Sequence, residues 1–228
     1  MQLTRHSDIN FYQSDNITKL GVRTVSWIEH GLDNTSDPQH INSLRNQYYT
    51  QANNNKTTID QCISGYYTLR EAVGRSVRRF PPSPLALRDQ FLRKNEISSV
   101  STAVDIYNLV SLTTGLSIGA HDLSTLSGDI RLDITQGNEC FHPLGSKEER
   151  ILPAGEYAYL DDKNQVLCRM EFRQSAHTCL TRKHLDALFI VQGHQDTSDE
   201  MLHSAAQQVS ELMKKYCKSQ QGKVWQTP

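Results

Sequence analysis

The stretch ISSVSTAVDIYNLVSLTTGLSIGAHDLSTLSGDIRL, from Ile97 to Leu132, contains the change of period that decides the fold. Its first half carries apolar residues at helical spacing. Val100, Ala103, Val104, Tyr107 and Val110 form one stripe, serines precede it as caps, and Gly115 ends it. From Asp129 the period becomes two: Ile130, Leu132 and Ile134 alternate with Asp129, Arg131 and Asp133, as in a half-buried strand. Between helix and strand lies a glycine-rich turn that ends in a lone His121-Asp122 pair.

Working outward, VRTVSWIEH (Val22 to His30) is rich in β-formers and predicts an early strand. The run from Gln39 to Asp60 is polar, and its three asparagines at 53–55 mark a loop or a weakly held connection. IDQCISGYYTLREAV predicts a helix weakened by Gly65. Pro81 and Pro82 interrupt regular structure, and Ser83-Pro84 then opens a helix to about Lys94. Downstream, GEYAYL and QVLCRMEFR are split by DDKN, a hairpin composition. In the second strand Val166, Cys168, Met170 and Phe172 alternate with Leu167, Arg169, Glu171 and Arg173. ALFIV (Ala187 to Val191) reads as a fully buried strand. A capping box Thr197…Glu200 opens a last helix, with Leu202, Ala205, Ala206, Val209, Leu212, Met213 and Tyr216 inward. Lys214, Lys215 and Lys218 sit at its C-terminal dipole. Helices grouped before a mainly antiparallel or mixed sheet make an α+β fold. One domain over 1–228 is expected, with 81–218 its best-supported part and 1–80 its more weakly patterned one.

Composition excludes several classes. The 228 residues are 37% hydrophobic and 21% charged with a net charge of −1, so the chain is globular and no global charge calls for DNA or a membrane. Five cysteines with no C-x-x-C rule out a zinc ribbon and argue against a disulfide framework, which points to a reducing, cytoplasmic setting. No apolar run approaches the roughly 20 residues of a membrane span, and the first residues lack the apolar core of a signal peptide. There is no G-x-S-x-G, H-E-x-x-H, P-loop or dinucleotide fingerprint, so no cofactor is expected. No metal site is expected either: His177 and His184 fall seven apart without a third ligand.

Three stretches could carry chemistry. Between Arg70 and Glu96 positive residues exceed acidic ones. Arg75, Arg78, Arg79, Arg88, Arg93 and Lys94 could hold a phosphate backbone if clustered, or else lie on a solvated helix face. Arg169, Glu171 and Arg173 would suit an anionic or polar ligand, because arginine forks bind carboxylates and phosphates bidentately. The same row also reads as cross-strand ion pairs worth under about 1 kcal/mol each. His121 beside Asp122 could position a water or a ribose hydroxyl; equally, Asp122 could cap the next turn while His121 packs.

Together these pieces resemble the editing domain of the phenylalanyl-tRNA synthetase β-subunit, the module that hydrolyses wrongly charged tyrosyl-tRNA, in a free-standing version. The shared skeleton is Ile97, Val104-Asp105, Asn108, Val110, Gly115, Ala120, Asp122, Leu126 and Gly128-x-Ile130. The family pattern His-Ala-Phe-Asp here reads Gly119-Ala120-His121-Asp122, so the histidine has moved by two residues. In an extended segment that shift keeps the side chain on the same face. The glutamate with which the family recognises tyrosine's hydroxyl has no clear counterpart; near ALFIVQG stands Gln192, a neutral amide.

The resemblance implies a tRNA or aminoacyl-tRNA partner and hydrolysis of a mischarged ester in trans. The pocket would form where the Asn108 helix, the 119–122 turn and the Arg169–Arg173 strand meet. Asn108 would hold the turn or the terminal adenosine, and Asp122, Glu171 and Gln192 would help bind substrate. His121, Thr178 or Thr181 would position water, and Arg169 or Arg173 would take a phosphate or the developing oxyanion. Two other readings stand beside it: a non-catalytic module that grips tRNA or an amino-acid-like ligand, and a hydrolase of another small ester or amide. Oligomeric state has no signature in the sequence.

Overall fold

The computed structural model describes residues 9–34 and 38–227. The described residues begin with β1 (Phe11–Gln13), α1 (Asp15–Leu20) and β2 (Arg23–Asp33), followed by α2 (Asn42–Asn54), α3 (Lys56–Ala72), α4 (Ser83–Lys94) and α5 (Thr102–Thr114). Then come β3 (Ser117–Asp122), β4 (Ile130–Ile134), β5 (Cys140–Phe141), β6 (Arg150–Ile151), β7 (Tyr157–Leu160), β8 (Val166–Arg169), β9 (Arg173–Gln174) and β10 (His184–Gly193). The long helix α6 (Asp199–Cys217) and the strand β11 (Gln220–Gln226) complete it. The expected α+β class holds.

Two sheets build the core. One has the order β11-β2-β10-β3 and is antiparallel throughout; the other has the order β1-β4-β7-β8-β9, with only β1 and β4 parallel. Strand β10 is buried on both faces, which is why ALFIV is apolar throughout. Ala187, Phe189 and Val191 face a helical layer that includes Ala103, Ile106 and Leu109 of α5 and Leu202, Val209 and Met213 of α6. Leu188 and Ile190 face the second sheet, meeting Ile130, Leu132, Tyr157 and Tyr159.

Several sequence expectations are corrected. The polar run 39–60 is largely helix, and its asparagines mark only the break between α2 and α3 at Asn55. Leu44, Tyr48 and Ala52 repeat every four residues and are buried, so packing of one face outweighs the polar composition. Gly65 lies inside α3 because a β-carbon there would come within 2.1 Å of the His194 ring. Helix α5 begins after Val100, which is 64% exposed and no part of the apolar stripe; Ser101 is the cap, accepting from the Val104 amide. The last helix is capped by Ser198 rather than Thr197, whose hydroxyl instead accepts from the His194 amide. Strand β8 stops at Arg169, because Met170 adopts a left-handed φ of 52°. The row Arg169–Glu171–Arg173 is therefore broken.

Candidate functional site

The broken strand builds a cavity. At Met170 the chain turns, carrying Glu171 inward while Arg173 stays exposed on β9. Strand β3 presents Ser117, Gly119 and His121 to the same space, while Ile118 and Ala120 pack in the helical core, as strand alternation requires. Helix α4 adds Ser83, Leu87 and Gln90, one stripe at helical spacing, and α5 adds Tyr107 and Asn108. Tyr159 and, from β10, Ile190 and Gln192 close the inner end. The cavity measures about 430 Å³, within the usual range of small-molecule sites.

The inner end is a polar network. Arg70 and Glu171, both almost fully buried, form an ion pair at 2.5 Å. Burial opposes the Arg70 charge, but the Glu171 carboxylate outweighs it and raises the guanidinium's pKa. Arg70 also donates to the Tyr157 hydroxyl (2.7 Å) and the Phe80 carbonyl (2.8 Å), and Tyr157 donates to Glu171. Gln192 donates to Glu171 at 2.8 Å and accepts from the Tyr159 hydroxyl at 2.5 Å.

His121 is 2% exposed. Its Nδ1 lies 2.8 Å from Thr178 Oγ1, and burial pushes its pKa down to about 3, so the ring is neutral at any ordinary pH. Among the described residues its Nε2, the Tyr107 hydroxyl and the Asn108 amide have no side-chain hydrogen-bond partner within the protein, while all three residues line the cavity. The Cys168 thiol also lines it, but burial pushes its pKa up to about 12, which leaves it a thiol rather than a nucleophile.

A second, more open cleft adjoins the cavity, sharing Leu144, Phe172 and Arg173 with it. Arg79, Arg150, Arg169 and Arg173 line this cleft beside Phe80, Phe141 and Phe172, and no acidic residue does. Arg169 is spoken for: it and Arg75 both bind the buried carboxylate of Glu156 at 2.5 Å. Burial would raise the Glu156 pKa, but the two arginines outweigh it and lower it. Arg79, Arg150 and Arg173 are exposed and have no carboxylate partner among the described residues.

Of the residues singled out from sequence, Asn108, His121, Glu171, Arg173 and Gln192 therefore meet in one cavity. Thr178 stands behind His121. Thr181 is exposed and off the cavity lining. Asp122 points elsewhere: it caps a short 3-10 turn through the Ser124 amide and binds Arg182 through two bonds of 2.8 Å. Burial would raise its pKa, but those bonds prevail and lower it. Within the basic stretch, Arg75 is tied to Glu156 and the buried Arg88 to Asp60, while Arg78, Arg79, Arg93 and Lys94 are exposed. Sequence reading missed Tyr107, Tyr159, Arg70 and Arg150. Inward alternation of Tyr157 and Tyr159 in EYAYL was a readable signal; Arg150, in the run KEER, resembled solvated loop.

A family model described as the B3/4 domain matches residues 65–218. The chain belongs to the B3/4 domain family. Among solved structures, this B3/4 protein is similar to an N-terminal fragment of the phenylalanyl-tRNA synthetase β-subunit from Pyrococcus horikoshii, with a TM-score of 0.54 at 16% identity. That match covers 97% of this chain and 55% of the fragment, so the chain spans little more than half the length of that structure. At such identity the likeness is one of fold. No curated protein sequence matches the chain. No helix among the described residues is long and apolar enough to cross a membrane, and those residues contain no cluster of three or more His, Cys, Asp or Glu side chains suited to a metal.

Proposed function

We propose that this B3/4 domain receives the aminoacylated 3′ end of a tRNA and hydrolyses the ester in trans, as an editing deacylase. The observation that carries the reading is contiguity. A cavity with unengaged neutral groups, Asn108, Tyr107 and His121, opens beside an arginine-and-phenylalanine cleft free of acidic residues. The first suits an aminoacyl ester; the second suits the phosphates and bases of a single strand, since arginines track the backbone and aromatic rings stack on bases.

In this reading water adds to the ester carbonyl, the bond from carbonyl carbon to ribose oxygen breaks, and amino acid and RNA hydroxyl are released. Asn108 and His121 hold the ester and the water, and Arg173 sits at the junction with the phosphate cleft. Thr178 orients the histidine ring through Nδ1. An aminoacyl ester is already activated, so no covalent nucleophile is required.

One observation favours a binding module of the same fold. A base whose pKa is about 3 removes protons from water poorly. Incubation with a panel of correctly and wrongly charged tRNAs separates the two. Selective loss of one class of ester establishes the deacylase and names its substrate. Salt-sensitive tRNA binding with no deacylation establishes the binder.

A further inference from the structure

We infer that the cavity, read as an aminoacyl site as above, selects an apolar side chain that carries no hydroxyl and discriminates against tyrosine. The basis is how the hydrogen-bonding groups at the inner end are already used. Tyr159 lines the cavity, Tyr157 and Tyr66 are bonded to its lining residues, and each hydroxyl proton is committed: Tyr159 to Gln192 Oε1, Tyr157 to Glu171, and Tyr66 to the Gln192 carbonyl at 2.5 Å. The Tyr66 oxygen in turn accepts from the Ser117 amide. Glu171 Oε2 accepts from Tyr157 and Gln192, while Oε1, itself buried, is ion-paired with Arg70 at 2.5 Å without a hydrogen bond of its own. What remains is a second lone pair on neutral oxygens and one amide hydrogen of Gln192. A ligand hydroxyl buried here would have to displace a bond of this network or be poorly paired.

The polar groups that are unengaged lie on another wall. Tyr107 and Asn108 belong to α5 and His121 to β3, where they suit the amino, carbonyl and ribose groups that every aminoacyl ester shares. The apolar surface of Leu87, Phe172 and Ile190 is left for the side chain. An apolar pocket discriminates against an added hydroxyl only modestly, by up to about a hundredfold, so the expected effect is bounded.

The test is calorimetric titration with stable amide analogues of 3′-aminoacyl-adenosine bearing phenylalanine, leucine or tyrosine. The phenylalanyl analogue should bind about tenfold or more tightly than the tyrosyl one. Tyr159→Phe frees Gln192 Oε1 as an acceptor, and should narrow that ratio by strengthening tyrosyl binding alone. Tyrosyl binding equal to or tighter than phenylalanyl in the unmodified protein overturns the selectivity while leaving the aminoacyl site standing. Failure of all three analogues to bind overturns both. The wild-type ratio decides the matter even if Tyr159→Phe melts early.

Discussion

His121 Nδ1 and Thr178 Oγ1 lie 2.8 Å apart with both side chains buried, so the only ring nitrogen left for a ligand is Nε2. A histidine whose second nitrogen is anchored is held in one orientation. If it positions the attacking water, His121→Ala should lower deacylation by roughly 10²-fold. The affinity for a stable aminoacyl-adenosine analogue should change far less. Thr178→Val, which keeps shape and removes the anchor, should give a smaller loss in rate. Unchanged hydrolysis in His121→Ala, with folding verified by melting, would reduce the pair to packing.

The same residue predicts two pH responses. Deacylation should be flat from pH 5 to 8 as far as this ring is concerned, since it is neutral throughout. Stability should not be flat. The folded pKa of about 3 lies below the ordinary 6.5, so the stabilising difference is complete above pH 6.5 and is lost as pH falls. Over pH 6.5 to 5 the loss attributable to His121 is about 2 kcal/mol. Denaturant melts of wild type and His121→Gln at several pH values check this; equal slopes would contradict it.

Gly119 is not required by the backbone, for its φ is not among the positive ones, and a β-carbon there would meet nothing within 4 Å. Its missing side chain leaves room in the cavity. Gly119→Ala should fold with stability within about 0.5 kcal/mol of wild type or better. Gly119→Leu should also fold but block the site, abolishing binding of aminoacyl-adenosine analogues. Full binding by the leucine variant would place the ligand elsewhere.

How much of this was legible depends on where local pattern and tertiary packing agree. Helix α5, its serine cap, Gly115 and the two-residue alternation of β4 are local features and read correctly. The paired shift that puts Gly119 and His121 on one face also follows from strand geometry alone. By contrast, α2 is polar by count and helical because three residues find a core. Strand β11 has no apolar alternation and exists because β2 offers it an edge. The turn at Met170 was hidden because the expected strand runs on through it in sequence. With that turn unseen, Glu171 read as a wet-face residue rather than the centre of a buried network. Arg70, in turn, read as one more positive charge, although its partner is 101 positions away by the numbering of the pair.

That pair predicts a stability effect. Arg70→Ala leaves the Glu171 carboxylate buried with only Tyr157 and Gln192, and should cost about 3–5 kcal/mol. Adding Glu171→Gln removes the stranded charge and should restore part of that loss. A double variant as unstable as the sum of the single ones, by denaturant melts, would show that the two groups act independently.

The arginine cleft supplies the prediction that separates an RNA ligand from a small one. Arg79, Arg150 and Arg173 are exposed and without carboxylate partners among the described residues, whereas Arg169 is already ion-paired with Glu156. For a single strand, affinity falls with salt by about 0.7 log units per log of salt for each phosphate engaged. Replacing Arg79, Arg150 or Arg173 singly with glutamine should therefore flatten the salt dependence of tRNA binding by about that amount. Arg169→Gln should disturb stability more than the slope, because it leaves the buried Glu156 carboxylate with Arg75 alone. Arg88→Gln serves as the contrast: it lies in the same basic stretch of sequence but is buried against Asp60, and should leave the slope unchanged. If all five variants bind with the wild-type slope, the cleft does not engage phosphates, and the cavity beside it serves a ligand without an RNA tail.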